Sequence, residues 1–419
     1  MTSEHILKFP PGFLWGTATS PTQVEGHIEN EWTRFTAQDG GNCRIACDNY
    51  HRYPEDIDWM ARLGTNAYRF GIEWSRLQSA AFAPLNEVEL ARYVDLLDRL
   101  RAKGITPMVV LHHFSNPPWI NAAGGWTNAA TIPAFVDYVH KLVCALKERV
   151  YLWNTFNEPD TYACVAYLLG GFPPRQRLQF GKFRRVISHM AAAHGQVSRI
   201  IRQAGVSDGR VPEVGIAKNW TFFHGYKQFS LWDRATAAGC HYIFNKFVLD
   251  AFLGGGRAAA STFIGLNYYG RVRFHHFRAM IPASGTPIIR LKNFNFVCDD
   301  MVERYPAGLG KILPYLQQKF NLPIYITEHG AASDDEKFRE RDLGENLVAL
   351  HRAMAQGADV RGFFYWSLMD NFEWQFGYAK KFGLLAVDFA DKKLPRSPKP
   401  LAAVYSQICR DNSMNMPGD

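Results

Sequence analysis

At 419 residues the chain is longer than a usual single-core domain, but α/β barrels run from about 250 to more than 400 residues, so one large domain is admissible. Hydrophobic residues make up 47% and aromatics 14%, enough for a sizeable core, and the 11 Trp and 18 Tyr exceed what a core requires and suit the C–H faces of sugars. The net charge of +8 comes from scattered Lys and Arg with no basic arm, which argues against nucleic acid as a partner, and no apolar run approaches about 20 residues, which excludes a membrane span.

Residues 1–10 have neither a cationic n-region nor an apolar h-region, so no secretory signal is expected and the implied location is cytoplasmic. A first β-rich run follows at 13–18. Cys43 and Cys47 lack the companion pair that a zinc site would want, and no metal is expected there. The seven cysteines (43, 47, 144, 164, 240, 298 and 409) form an odd, dispersed set without CxxC, the pattern of reduced thiols in a cytosolic protein. Further short strands are predicted at 67–70, 108–111, 151–156, 214–217, 263–266, 324–327 and 362–366, with helical stretches between them. The segment 87–103 sets Leu90, Val94, Leu97 and Leu100 on one face and Gly104 ends it; 132–148 and 342–356 repeat that periodicity.

Eight strands with helical crossovers predict the α/β class and a (β/α)8 TIM barrel. A doubly wound sheet would open on a glycine-rich phosphate loop, which neither Gly16-Thr-Ala-Thr-Ser20 nor Gly308-Leu-Gly310 supplies. No linker, repeat or low-complexity tract divides the chain, so a single domain spans 1–419, with 410–419 as a loose tail. Asn219-Trp220-Thr221 matches a glycosylation sequon and is taken as incidental in a chain without a signal.

On a barrel of this kind the residues ending each strand line the active-site face. Those ends are Gln23 just past the first strand, Arg69, His112-His113, Asn157-Glu158, Asn219, Asn267-Tyr268-Tyr269, Glu328 and Trp366, nearly all polar or aromatic. Glu158 and Glu328 end the fourth and seventh predicted strands, across the rim from each other. Two carboxyl groups so placed suit glycoside hydrolysis with retained configuration, one as nucleophile and one as acid, roughly 5–5.5 Å apart. Arg69 and the phenol of Tyr269 are expected to stabilise an ionised Glu328, and Asn157 to donate to the sugar 2-hydroxyl. Once Glu328 is glycosylated its charge disappears, and Glu158 can turn from acid to base toward water. This chemistry requires no cofactor and no metal.

At these residues the chain closely resembles the family 1 glycoside hydrolases, the β-glucosidase and β-galactosidase group, from Phe9 to about Tyr405. The opening Phe9-Pro-x-x-Phe-Leu-Trp-Gly, with Gln23-x-Glu25-Gly26, is similar to the family's N-terminal signature. Asn157-Glu158-Pro159 resembles its acid/base motif and Thr327-Glu328-x-Gly330 its nucleophile motif. Most specific is Trp366-Ser-Leu-Met-Asp-Asn-Phe-Glu373-Trp374, which resembles the glycone-binding loop with its spacing intact. The resemblance implies that Gln23, His113, Asn157, Trp366, Glu373 and Trp374 hold the sugar, with Phe382 and Asn267 beside them. The implied enzyme is a retaining exo-β-glycosidase of the β-glucosidase class, and its partner a small β-glycoside or oligosaccharide. An acidic side chain at 373 argues against 6-phosphoglycosides, and the presence of Glu158 argues against the plant thioglucosidases, which have Gln there.

The chain departs from the family at His329, where Asn is usual, and at Phe114, where Trp is common. The connection between strands 5 and 6, 218–263, looks shortened around Gly254-Gly255-Gly256, which is expected to lie near the entrance, leave the cleft wider and weaken that region. A silent sugar-binding protein on the same barrel remains open, as does a transglycosidase, which uses the same residues. Glucose, galactose and fucose specificity, aglycone length and oligomeric state are not fixed by these residues.

Overall fold

The computed structural model describes residues 6–205, 209–275, 278–280 and 302–415. Eight parallel strands close into one barrel: β1 (Leu14–Ala18), β2 (Ala67–Gly71), β3 (Thr106–Val110), β4 (Leu152–Asn157), β5 (Glu213–Asn219), β6 (Ile264–Asn267), β7 (Ile324–His329) and β8 (Val360–Trp366). Their order around the barrel is β7-β8-β1-β2-β3-β4-β5-β6. All eight expected strands are present. Each strand is buried on both faces, which explains why the sequence shows short apolar runs rather than alternation.

The barrel interior is filled by Ala18, Ala67, Met108, Leu152, Phe263, Tyr325, Phe364 and Trp366. Small residues face large ones, so that the layers interlock. A Cβ at Gly16 would overlap the ring of Phe364, so this glycine is the space that the phenyl group occupies. On the outer face Trp153, Ile216, Leu266, Ile326 and Phe363 join the helical layer in a second, larger core. Fully burying each of these side chains contributes about 1.5–3 kcal/mol.

The helix expected at 87–103 is Glu87–Ala102, with the Asn86 carboxamide accepting from the amides of Val88 and Glu89 and Gly104 in left-handed backbone at φ 71°. Its buried stripe is rotated from the expected one: Tyr93, Leu96, Leu97 and Leu100 are buried, whereas Leu90 and Val94 are only partly so. Tyr93 turns the helix because its hydroxyl accepts from the Glu73 amide and donates to Glu25, both at 3.0 Å. The helix expected at 342–356 starts earlier, as Glu336–Ala355, since its first turn is charged and shows no apolar period; Asp335 caps it at the Phe338 amide. Gly308 and Gly310 lie inside the helix Ala307–Phe320, where a Cβ at Gly308 would overlap the Tyr268 hydroxyl. Gly308 thus serves close helix–strand packing, whereas a Cβ at Gly310 would meet open space.

The expected loose tail does not hold for 410–415. The helix Pro400–Asp411 runs on past Arg410, and Ser413–Asn415 pairs antiparallel with Ile6–Lys8. Asn412 is the cause: its carboxamide accepts from the Trp15 indole at 2.8 Å and donates to the carbonyls of Phe9 and Pro10 at 2.9 and 3.0 Å. Residues 416–419 lie outside those described.

The shortened connection also differs from expectation in where it lies. Gly254, Gly255 and Gly256 follow the helix Phe247–Leu253 and lead through Arg257–Ala260 into the start of β6. A segment that precedes a barrel strand sits on the N-terminal face, opposite the mouth, and Gly254, Gly255 and Gly256 do not line the cavity. Gly255 and Gly256 take φ of 57° and 82°, which only glycine adopts without cost, and Ser261 then reaches His194 at 2.9 Å.

Cys43 and Cys47 are buried, and burial pushes both thiols up, Cys43 to about 12, so neither is a ready metal ligand. Six cysteines are free thiols, and Cys298 lies outside the described residues. Among the described residues no helix is long and apolar enough to cross a membrane.

Candidate active site

The C-terminal ends of the strands open into a cavity of about 890 Å³, lined at its inner end by His113, Asn157, Glu158, Asn219, Tyr269, Glu328, Trp366, Glu373, Trp374 and Phe382. Gln23, Arg69 and Asn267 stand directly behind this lining and hold it in place.

Glu328 lies within β7. Its Oε1 accepts from a buried Arg69 guanidinium at 2.5 Å and its Oε2 from the Tyr269 hydroxyl at 2.6 Å. Glu158 follows β4 in left-handed backbone, φ 39° and ψ 61°, with Pro159 opening the next helix. That conformation costs about 1–2 kcal/mol in a residue with a Cβ, and it turns the carboxyl out of the strand toward the mouth. Its Oε1 accepts from Asn267 at 2.7 Å and its Oε2 from Asn219 at 3.1 Å.

The two carboxyl groups share one network. Arg69 also donates to Asn157 Oδ1 at 2.6 Å, and the same oxygen accepts from Asn267 Nδ2 at 3.0 Å. Thr327 donates to Asn267 Oδ1 at 2.6 Å, which fixes which end of that amide faces Glu158. With its oxygen so committed, Asn157 turns its Nδ2 toward His113 Nε2, at 2.9 Å. His113 must therefore accept there. Burial and the Arg69 charge hold it well below the usual imidazole range, so the ring is neutral.

Opposite lie the glycone-loop residues. Gln23 accepts from Ser20 at 2.7 Å and donates to Asn371 and Glu373 at 3.0 and 3.1 Å. The His113 ring lies near-parallel to the indoles of Trp366 and Trp374, each at 5.9 Å between centroids. Phe114, at φ 64°, packs against Trp374 at 5.1 Å, so its smaller ring still walls that indole. Phe382 meets Tyr269 edge-on at 6.0 Å. All of the expected site residues converge.

Burial and neighbouring carboxylates raise two acids of this cavity, Glu328 and Glu373. Burial pushes the Glu328 carboxyl up to about 7 and the Glu158 charge adds to the rise, while Arg69 and Tyr269 pull it back. Burial pushes Glu373 up to about 8, with Glu328 and Glu158 adding to it and Gln23 and Trp366 opposing.

Sequence reasoning missed several supporting residues. Asn219, expected on the rim but given no role there, commits its carboxamide to Glu158 and to Thr161, each at 3.1 Å. Its place at a strand end was the signal. Behind it the buried Lys218 ammonium bonds Asp160 and the Asn219 carbonyl, and Asn245 Oδ1 at 3.3 Å. Lys218→Met leaves the Asp160 carboxylate buried without its cation and is expected to lower unfolding free energy by about 3–5 kcal/mol in denaturant titration. Adding Asp160→Leu should recover most of that loss; a single variant as stable as wild type would show that the pair is not structural.

His329, immediately after Glu328, donates from Nδ1 to the Tyr268 carbonyl at 2.8 Å and sets Nε2 3.2 Å from Asp342. Asp342 lies in the helix Glu336–Ala355, so this residue ties the Glu328 strand to the outer layer. An Asn is too short to span both contacts.

The model of the family described as Glycosyl hydrolase family 1 matches residues 5–257 and 257–414. The two matched pieces meet at Arg257, inside the shortened connection. The chain is 30% identical over 460 residues to "Beta-glucosidase A" of Thermotoga maritima, covering 98% of this chain and 99% of that one. It is likewise 30% identical over 461 residues to "Beta-glucosidase 47" of Arabidopsis thaliana, covering 97% and 86%. Among solved structures, a beta-glycosidase from Pyrococcus horikoshii is 33% identical with a TM-score of 0.84, covering 98% of this chain and 97% of that one. The Thermotoga maritima beta-glucosidase in complex with deoxynojirimycin is 28% identical, also at 0.84, covering 97% and 100%.

Proposed function

The chain belongs to glycosyl hydrolase family 1, and from that premise we propose that it is a retaining exo-β-glycosidase acting on β-glucosides and related small β-glycosides. The observation that carries this reading is the Arg69–Asn157–Asn267 network, which together with Asn219 and Tyr269 gives each oxygen of Glu158 and Glu328 a partner at the inner end of one cavity.

In the first step a Glu328 oxygen attacks the anomeric carbon and the bond to the aglycone oxygen breaks, that oxygen taking the proton of Glu158. A glycosyl ester on Glu328 results. Its formation removes the negative charge facing Glu158, which can then accept a proton from water as the water oxygen attacks the anomeric carbon. Glu328 leaves as a carboxylate and one water has been consumed. Two inversions return the sugar to its starting configuration.

Gln23, His113, Asn157, Trp366, Glu373 and Trp374 bind the sugar in this reading, with Phe382 nearby. A substrate lacking a hydroxyl that they bond would leave buried polar atoms unpaired, which supplies selectivity. Neighbours solved with sugar-like inhibitors such as deoxynojirimycin support a monosaccharide-sized pocket. A panel of p-nitrophenyl β-glycosides tests the assignment and ranks glucose, galactose and fucose. Failure to cleave any of them would overturn it.

Attack requires the ionised form of Glu328, so kcat/KM falls as the pH drops through that group's pKa. With Glu328 pushed up to about 7 in the free protein, the acid limb is expected above the ordinary glutamate range. A limb at pH 4 or below would mean that Arg69 and Tyr269 outweigh burial.

A further inference from the structure

The outer half of the cavity, where a departing aglycone must sit, is walled by Phe35, Val165, Leu168, Phe172 and Phe376. Two cations project from the same rim. Arg175 and Arg177 line the cavity, and the Arg175 guanidinium lies over the Phe35 ring at 4.6 Å. Arg175 sits at φ 59°, and the backbone of Arg177 bridges antiparallel to Leu169, so both are carried on one turn beside the mouth. Neither guanidinium has an acidic partner among the described residues. Among the described residues the carboxylates lining this cavity, Glu158, Glu328 and Glu373, are all at the inner end among the sugar-binding groups. Charge therefore divides along the cavity: acids where the sugar sits, unpaired cations and aromatic walls where the aglycone sits.

Resting on the glycosidase reading above, we propose that the preferred substrates carry an aromatic aglycone bearing an anionic group, a carboxylate above all, on its far side. The flat ring packs between the phenyl walls, and Arg175 and Arg177 meet the anion at the rim. Guanidinium is suited to this because it can stack on a ring and pair a carboxylate through the same planar group. Hydrolysis then releases a hydroxyaryl acid, whose phenolic oxygen takes the proton of Glu158 as the glycosidic bond breaks.

The test uses the full chain and the glycone that the panel ranks first, as the 4-carboxyphenyl β-glycoside and its neutral methyl ester. The ratio of kcat/KM, carboxylate over ester, is measured in the wild type and in the R175Q/R177Q double variant. Because each protein is read as a ratio, leaving-group ability and any general loss of activity cancel. The expected result is a ratio about 3- to 10-fold lower in the variant, the effect of two solvent-exposed ion pairs. In the wild type the carboxylate substrate should also lose kcat/KM between 0.05 and 0.5 M salt while the ester does not, since screening acts on the charge alone. An unchanged ratio, or a ratio insensitive to salt, overturns the proposal while leaving the glycosidase reading intact. No turnover of either compound overturns both.

Discussion

Glu328→Gly is expected to lower kcat on a p-nitrophenyl β-glycoside by about 10⁴-fold or more, and sodium azide to restore turnover with the α-glycosyl azide as product. The size of the loss follows from removing the group that forms the covalent bond, whose partners cannot act alone. The rescue follows from geometry. With the carboxyl gone, the buried Arg69 guanidinium and the Tyr269 hydroxyl, which had held it at 2.5 and 2.6 Å, face a void of small-anion size. Azide entering there attacks the anomeric carbon from the face that Glu328 occupied. A single inversion results, and no ester forms. Arg69 retains its bond to Asn157, so circular dichroism should show a folded variant. Normal activity without azide, or a β-azide product, would sink the role given to Glu328.

For Glu158→Ala the expected pattern is a split by leaving group. Alkyl glycosides, whose alkoxide must be protonated as it departs, should lose about 10²–10⁴-fold in kcat/KM, the usual worth of a positioned acid. Dinitrophenyl glycosides, whose phenolate departs unaided, should keep most of theirs. Deglycosylation by water also loses its base, so azide should accelerate the second step and yield the β-glycosyl azide, opposite to the Glu328 variant. The two azide products therefore assign the two carboxyl groups independently. Equal losses across leaving groups would contradict the acid role. Asn219 and Asn267, which bond the two Glu158 oxygens, are not themselves removed by this change, so the cavity wall should stay in place.

What could be read from the chain and what could not divide by the kind of interaction involved. The eight strands were legible because each is buried on both faces and stands out as a short apolar run between helical periods. Glu158, Glu328 and the strand-end residues were legible because a barrel delivers the end of every strand to one rim. Asn219 is at such an end, but its role there depends on Glu158 meeting it in space, which its position along the chain does not show. Asn371, Thr327 and the Lys218–Asp160 pair carry no periodic signal at all. Their roles consist of which amide end or which charge a neighbour turns toward the site, and those neighbours are distant in sequence.

Two of the expectations that failed have related causes. The 410–415 segment reads as a tail because Arg410, Asp411, Asn412, Ser413 and Asn415 leave it no apolar pattern, but Asn412 bonds Trp15 and Phe9 across nearly the whole chain length. The glycine-rich connection is expected near the entrance because it joins strands 5 and 6, and a strand-to-strand connection visits both ends of the barrel. In space it precedes a strand and so lies at the other end of the barrel.

By itself the sequence determined the barrel, the chemistry class that two strand-end glutamates support, and which side chains the strand ends bring to one rim. These rest on local periodicity and on a topology that fixes where strand ends go. Only the tertiary structure decided the neutral state of His113, the linkage of Glu158 to Glu328 through Arg69, Asn157 and Asn267, and the separation of acids from arginines along the cavity. Hydrogen-bond direction and electrostatic field depend on which groups meet in space and how far water is excluded, and neither is encoded in the spacing of residues along the chain.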